Sequence, residues 1–490
     1  MHTDADRHRV DDFLIRSERA MCLSGLDEES VAMIFALYSR NPRNLRDTLI
    51  HMVDEGHLVL PEESPKEAGE RVRRFHERMT IGYGHKSVAD HAQVHWAVEG
   101  VSTILERSFL SARLLAATSV STRYVDFWKQ GVVTPPNWPL ALTDWYLDHC
   151  NQLIEAYSGL VDVATIAVRE IVPYDDEAKE IWDTERKWVI ATSKRGLDLV
   201  RDLLPAGART SFGVTMSATG LREFLDKHQS GTSLEERTIS EMSEVASELR
   251  IACRSSMPAL IPEEPRDVPR HRPLNDAWVP MNQRVWRTQS VEIVSSPDWT
   301  MVLDIFKLSP VDLVRRWRED RCHKMGPDRS SEMLRYVING WMPFAIARDL
   351  GRHRMMTQLW SIVSPGHGYG CDPLMHHPKH RNLPAVEVLR AAHRQALLAA
   401  DRRIFEIAPR VGKEALQYAC PLATMVRGVW EVSLRQLVYI LGLRTVPQGH
   451  AGYRAWCQAL AKAVIQRDPG LKPLIDDVTN WETYVAGRPG

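Results

Sequence analysis

Two short stretches of the first half concentrate side chains that could hold a phosphorylated ligand. Gly84-His85-Lys86-Ser87-Val88-Ala89-Asp90-His91 brings together two imidazoles, a hydroxyl and a carboxylate, and Ser121-Thr122-Arg123-Tyr124 adds a hydroxyl, a guanidinium and a phenol. Glycine before His85 lets the backbone turn so that ring and hydroxyl can face a ligand. His85, Ser87 and Asp90 supply donors and acceptors suited to phosphate, ribose or a heterocycle. The guanidinium of Arg123 can take phosphate oxygens bidentately, with Ser121 adding a bond. Each stretch also has a plainer reading. Ser87 and Asp90 have the spacing of a capped helix start, and Arg123-Tyr124 fits a surface arginine beside a core tyrosine.

In the second half, Arg352-His353-Arg354 closes an apolar segment that begins near Glu332. The tripeptide recurs as Arg7-His8-Arg9 and Arg270-His271-Arg272, so its weight comes from that context. Its plainer reading is a solvated helix end, where arginine complements the dipole. Leu434-Arg435 and Leu443-Arg444 lie further on. Cys371, His376, His377 and His380 lack the paired spacing of a zinc site and read as loop side chains, so no metal is expected. Gly366-His367-Gly368-Tyr369-Gly370 has neither a P-loop nor a strand–GxGxxG–helix context.

The elements that must position these groups are mostly helical. Ala68 to Met79 carries an amphipathic stripe (Val72, Phe75, Met79). Asp90 to Leu115 suits a short strand followed by a helix, and Trp188 to Leu204 a helix ended by Pro205. Leu221 to Lys227 and Glu241 to Cys253 read as two more. Helical spacing also predicts helices over Val311 to His323, Ser331 to His353, Ala385 to Ile407, Val432 to Leu443 and Ala455 to Gln466. Between the halves, Pro258, Pro262, Pro265, Pro269 and Pro273 fall among charges and mark an extended connector. The expected organisation is a charged lead-in over 1–18, a first unit over 19–256, the connector over 257–289 and a second unit over 290–490. Glu99-Gly100-Val101-Ser102 leading to Ser111-Ala112-Arg113 is echoed by Asn339-Gly340-Trp341-Met342 leading to Arg352-His353-Arg354.

The chain's 490 residues carry a net charge of −1, which gives no bulk signal for nucleic acid. Its seven cysteines are scattered without a CxxC pair, as expected for a reducing cytoplasm. No apolar run approaches the ~20 residues of a membrane helix.

Gly84-His85-x-Ser87-x-x-Asp90-His91 and Ser121-x-Arg123-Tyr124 resemble the GHxSxxEH and SxRY stretches of flavin-dependent thymidylate synthases (ThyX), with Asp90 for the family's glutamate. The family's RHR stands as Ser111-Ala112-Arg113 in the first half and as Arg352-His353-Arg354 in the second. Its Asn-Glu stands as Thr118-Ser119. Leu434-Arg435 and Leu443-Arg444 resemble the family's Asn-x-Arg…Leu-Arg segment, with Ser433 for the asparagine. In the first half Leu221-Arg222 is kept, and Gly231 falls where the second arginine belongs.

The resemblance implies a helix-rich α+β fold of two tandem ThyX-like units. It also implies FAD-dependent one-carbon transfer from methylenetetrahydrofolate to a nucleotide such as dUMP, with NADPH as reductant. Ser121 and Arg352 would be catalytic. His85, Ser87, Asp90, Glu332, Arg352, His353 and Arg354 would bind flavin. Ser121, Arg123, Tyr124, Arg435 and Arg444 would bind the acceptor. Because the motifs are shared unequally, one composite site built from both units is expected, with a degenerate mate. A homodimer would imitate the family's tetramer. The altered motifs leave two other readings open: a flavoenzyme acting on another small acceptor, or a ThyX-like binding or scaffold protein.

Overall fold

A computed structural model describes residues 10–16, 21–23, 25–38, 45–58, 72, 74–76, 86–110, 112–122, 125, 127–229, 240–265, 286–319, 326–370 and 373–481. His85, Arg123, Tyr124 and Gly231, most of the 68–79 stripe and the centre of the proline-rich connector lie outside them.

The chain begins with the antiparallel pair β1 (Leu14–Arg16) and β2 (Met21–Leu23), then α1 (Glu28–Tyr38), α2 (Leu45–Asp54) and the short α3 (Lys86–Ala89). Val10, Phe13 and Leu14, within the charged lead-in, are buried with Met33, Ile34, Leu49 and Met52 in one apolar cluster.

A pattern then appears twice. The first copy runs β3 (Gln93–Ser102), α4 (Thr103–Leu110), β4 (Leu115–Ser119), the long helices α5 (Thr143–Ile171) and α6 (Glu185–Val200), β5 (Arg209–Ser217) and α7 (Ala218–Gln229), followed by α8 (Ser240–Ser256). Its sheet order is β3-β5-β4. The second copy is preceded by β6 (Ser290–Ser295) and α9 (Pro310–Glu319). It runs β7 (Arg335–Pro343), α10 (Phe344–Leu350), β8 (Thr357–Trp360), α11 (Pro384–Ile407), β9 (Met425–Ser433) and α12 (Leu434–Arg444), with α13 (Ala451–Arg467) behind. Its order is β6-β7-β9-β8, so β7-β9-β8 repeats β3-β5-β4. The fold is helix-rich α+β, built from tandem repeats.

The segment 331–353 is not one helix. It is a 3-10 turn (Arg329–Met333), then strand β7, then α10. Tyr336, Ile338 and Met342 are buried, while Arg335 is exposed and Val337, Asn339 and Trp341 are only partly covered. That is the period of two of a half-buried strand. Val432 likewise belongs to strand β9, and the helix starts at Leu434 behind the capping Ser433.

By contacts the chain forms two compact units: 1–98 with 114–118 and 212–271, and 99–113 with 119–211 and 272–490. The second therefore holds α4 and the long helices of the first repeat together with the whole second repeat. Within it α5 packs on α6 and α11. Gly196 permits the closest approach, since a Cβ there would meet Thr165 Oγ1 at 2.4 Å.

Inside the same unit the repeats meet about a local two-fold. Pro205 bridges Pro421, and the backbone bonds around them are reciprocal. The Ala206 amide donates to the Cys420 carbonyl and the Leu422 amide to that of Leu204, both at 2.8 Å. The Gly207 amide donates to Tyr418 and the Ala423 amide to Asp202. The first residues of α4 and α10 are held alike, with Thr103 N–H on Ala208 at 3.1 Å and Phe344 N–H on Thr424 at 2.9 Å.

Candidate functional site

In the second compact unit, α10 and the turn after it carry Arg348, Asp349, Arg352, His353 and Arg354. His353 is 5% exposed. Its Nε2 accepts from Arg444 Nε at 2.8 Å, and its ring stands edge-on to Tyr439. Burial, then Arg444, pushes its pKa down to about 3 against the smaller pull of Asp349. The ring is therefore neutral, and accepting at Nε2 puts its proton on Nδ1.

Arg444 also donates through Nη2 to the Asp349 carbonyl at 2.7 Å and lies 5.2 Å from the Tyr453 ring centre. The Asp349 carboxylate accepts from Arg201 Nη2 at 2.8 Å. Arg201, 4% exposed, also donates to Thr122 Oγ1 at 3.3 Å. A continuous polar chain thus runs Thr122–Arg201–Asp349–Arg444–His353, joining the SxRY stretch to the second repeat. Ser121 is half-buried at its start, and its carbonyl accepts from the Val125 amide.

Glu106 on α4, 1% exposed, pairs with Arg348 and stands 3.7 Å from Arg352. Arg352 keeps 38% of its side chain exposed. Arg354 donates to the Leu110 carbonyl at 3.2 Å, and burial followed by Arg352 lowers its pKa. Arg107, Arg201, Arg348, Arg352, Arg354 and Arg444 outnumber Glu106, Asp349 and the Asp198 that stands 3.7 Å from Arg201, so the region holds excess positive charge suited to an anionic ligand.

Glu332 accepts from Arg435 at 2.7 Å, so these two engage each other. In the first compact unit, Ser87 and Asp90 are exposed, and Asp90 accepts from Ser217 Oγ at 3.1 Å. Ser217 and Ser433 cap α7 and α12 through the amides of Gly220 and Gln436. Counting from these serines, Arg444 corresponds to His228 rather than Gly231, and Leu221 corresponds to Leu437 rather than Leu434. Arg201, Asp349, Arg348 and Glu106 escaped the reading by motif. The signal for one of them was present, since Arg107 and Arg348 stand at the same step after the first strand of each repeat.

The family model described as thymidylate synthase complementing protein matches residues 28–259 and 317–470. The chain belongs to this family. The UPF0159 protein of Chlamydia muridarum is 26% identical over 524 aligned residues, spanning 97% of this chain and 95% of its own length. That of Thermoplasma acidophilum is 21% identical over 85% of this chain and 91% of its own. The flavin-dependent thymidylate synthase of Thermococcus onnurineus is 25% identical over 33% of this chain and 57% of its own length. Full-length likeness is thus to the UPF0159 proteins, while likeness to the named synthase covers a part of each. Inside the matched region, the arginine–histidine–arginine at 352–354 anchors the buried network around Arg444. No helix among the described residues is long and apolar enough to cross a membrane.

Proposed function

We propose that the protein is a flavin-dependent, thymidylate synthase-like enzyme. It would transfer a one-carbon unit from methylenetetrahydrofolate to a nucleotide such as dUMP, with FAD and NADPH. Family membership supports this chemistry, and so does the excess of guanidinium groups around α10. FAD, the nucleotide and the folate are all anionic, and the exposed Arg352 fits such a group.

The flavin would supply hydride when bound. Arg352 and Arg354, with Glu332, His85, Ser87 and Asp90, would hold it. Arg444 and Arg435, with Ser121, Arg123 and Tyr124, would hold the acceptor. His353 is a positioning residue: its neutral Nε2 fixes the plane of the Arg444 guanidinium. The protein's part is then orientation and charge compensation. Cys150, Cys253, Cys420 and Cys457 are buried, and burial pushes their thiols up, Cys150 and Cys457 to about 12. These cysteines are unsuited to attack a base as thiolates, in keeping with flavin-borne reduction.

One observation favours another small acceptor as the second reading. Arg444 already spends Nε and Nη2 on His353 and Asp349, which leaves Nη1 to meet an acceptor and narrows the grip on a phosphate.

The test is the visible spectrum of the protein purified from cells, followed by release of flavin on denaturation. Close to one flavin per chain is expected, with dTMP formed from dUMP when folate and NADPH are added. Flavin without dTMP would favour the other acceptor. A colourless protein that takes up no added FAD would overturn the flavoenzyme reading and leave a binding or scaffold role.

A further inference from the structure

The repeats carry a matched pair of arginines with unmatched partners. Arg107 lies four residues after Thr103, and Arg348 four after Phe344. Glu106 of the first repeat pairs with Arg348 of the second. The local two-fold would pair Arg107 with the residue equivalent to Glu106, but that residue is Ala347. Among the described residues Arg107 has no hydrogen bond and no ion pair. Its guanidinium lies instead 4.3 Å from the Trp360 ring centre and 5.3 Å from that of Phe344. Arg348 is close enough to lower its pKa, second to burial. The Nε of Arg348 is itself buried without a hydrogen-bond partner.

We propose that Arg107 is the cationic anchor of an oxyanion subsite built on the faces of Trp360 and Phe344, with Arg348 beside it. Stacking holds the guanidinium plane and leaves its N–H edge for in-plane bonds to oxygen. Three guanidinium groups, Arg107, Arg348 and the partly exposed Arg352, share the single carboxylate of Glu106 and leave positive charge to be met. Desolvation makes an anion there worth more than at an open surface. The ligand class is a compact polyanion bearing phosphate or carboxylate oxygens. The subsite stands on Arg107 and its surroundings and needs neither flavin nor the reaction proposed above.

The test is calorimetric titration of the full chain in chloride buffer with inorganic pyrophosphate and, separately, with citrate. Wild type should bind at least one of them, and the stronger arm tells phosphate from carboxylate. Arg107→Gln should weaken that binding at least ten-fold. Arg335→Gln, which removes an equal charge from an exposed pair with Glu431, should change it less than two-fold. If Arg107→Gln does not fold, Arg107→Lys replaces it; this keeps the charge without the planar fork and should lose several-fold. Unchanged affinity in the folded Arg107 variant, or no binding of either anion by wild type at millimolar concentration, would overturn the subsite.

Discussion

The first and second repeats put an arginine at the same step of the helix after their first strand, and surround it differently. Arg348 is neutralised by a buried carboxylate from the other repeat, while Arg107 rests on aromatic rings with no carboxylate partner among the described residues. The difference continues a turn later. The first repeat reads Ser111-Ala112-Arg113, and Arg113 reaches out to Thr357 at 3.1 Å. The second reads Arg352-His353-Arg354, and its histidine is buried against Arg444. Duplication kept the backbone frame, as the reciprocal bonds around Pro205 and Pro421 show. The polar groups were then divided between copies, so a position's role cannot be carried from one repeat to the other by alignment alone.

The largest expected effect breaks the paired side of this comparison. Glu106→Ala leaves Arg348 buried without its counter-charge, which costs about 3–5 kcal/mol. Chemical denaturation of Glu106→Ala and of Glu106→Leu/Arg348→Met should show the single variant strongly destabilised and the double variant much less so. A single-variant loss below about 1 kcal/mol would mean that the pair is not desolvated as its geometry indicates.

His353 comes next and supplies a pH signature. Its folded pKa is depressed to about 3 from an unfolded value of 6.5. Between these values the unfolded chain binds the proton and the folded one does not. Stability from the neutral ring is therefore fully present above about pH 6.5 and is lost as pH falls toward 3. Wild type should lose roughly 2 kcal/mol more than His353→Gln between pH 7 and 4.5. His149, pushed down to about 4 mainly by burial, contributes to both proteins equally and cancels in the difference. Parallel stability profiles would show that His353 is not held as an acceptor.

How much of this was legible in the sequence depended on the period of each segment. The helices α6, α8 and α11 showed themselves because their apolar residues recur every three or four positions over a long span, although α6 ends at Val200 and a 3-10 turn (Arg201–Leu203) fills the rest of the expected 188–204. Strand β7 did not. Val337 and Trp341 are apolar on its less covered face, and they blurred the alternation with Tyr336 and Ile338 into a helical stripe. The repeat was visible as an echo of short motifs, yet its register in the late helices was set by two capping serines. These look like ordinary polar residues until the strand–helix junction is seen. The Arg444–His353 contact joins residues 91 apart in sequence, and Arg201–Asp349 joins residues 148 apart. Such pairs depend on packing that no local pattern carries.

A smaller effect separates the unpaired arginine from the paired one. Arg107→Leu removes a half-buried charge that has no counter-charge among the described residues and lies beside another cation, while keeping apolar contact with Phe344 and Trp360. Its stability should stay within about 1 kcal/mol of wild type, against the large loss in Glu106→Ala. A loss above about 3 kcal/mol would show that Arg107 is structural in the way Arg348 is, and the contrast between the repeats would fail.

The smallest expected change in stability falls at the start of α12, where Arg435 pairs with Glu332. Both side chains are about one-third exposed, so solvent screens the pair, and Arg435→Ala should cost no more than about 1 kcal/mol. That makes it an informative variant for binding, because a change in acceptor affinity cannot then be blamed on unfolding. If Arg435 contacts the acceptor, Arg435→Ala should raise the KM for the nucleotide while Glu332→Gln, which frees the guanidinium, should lower it or leave it unchanged. If the two serve only each other, both variants should shift KM equally or not at all. In that case the second repeat's contribution to acceptor binding contracts to Arg444, the cation whose orientation His353 fixes and for which the first repeat has only His228.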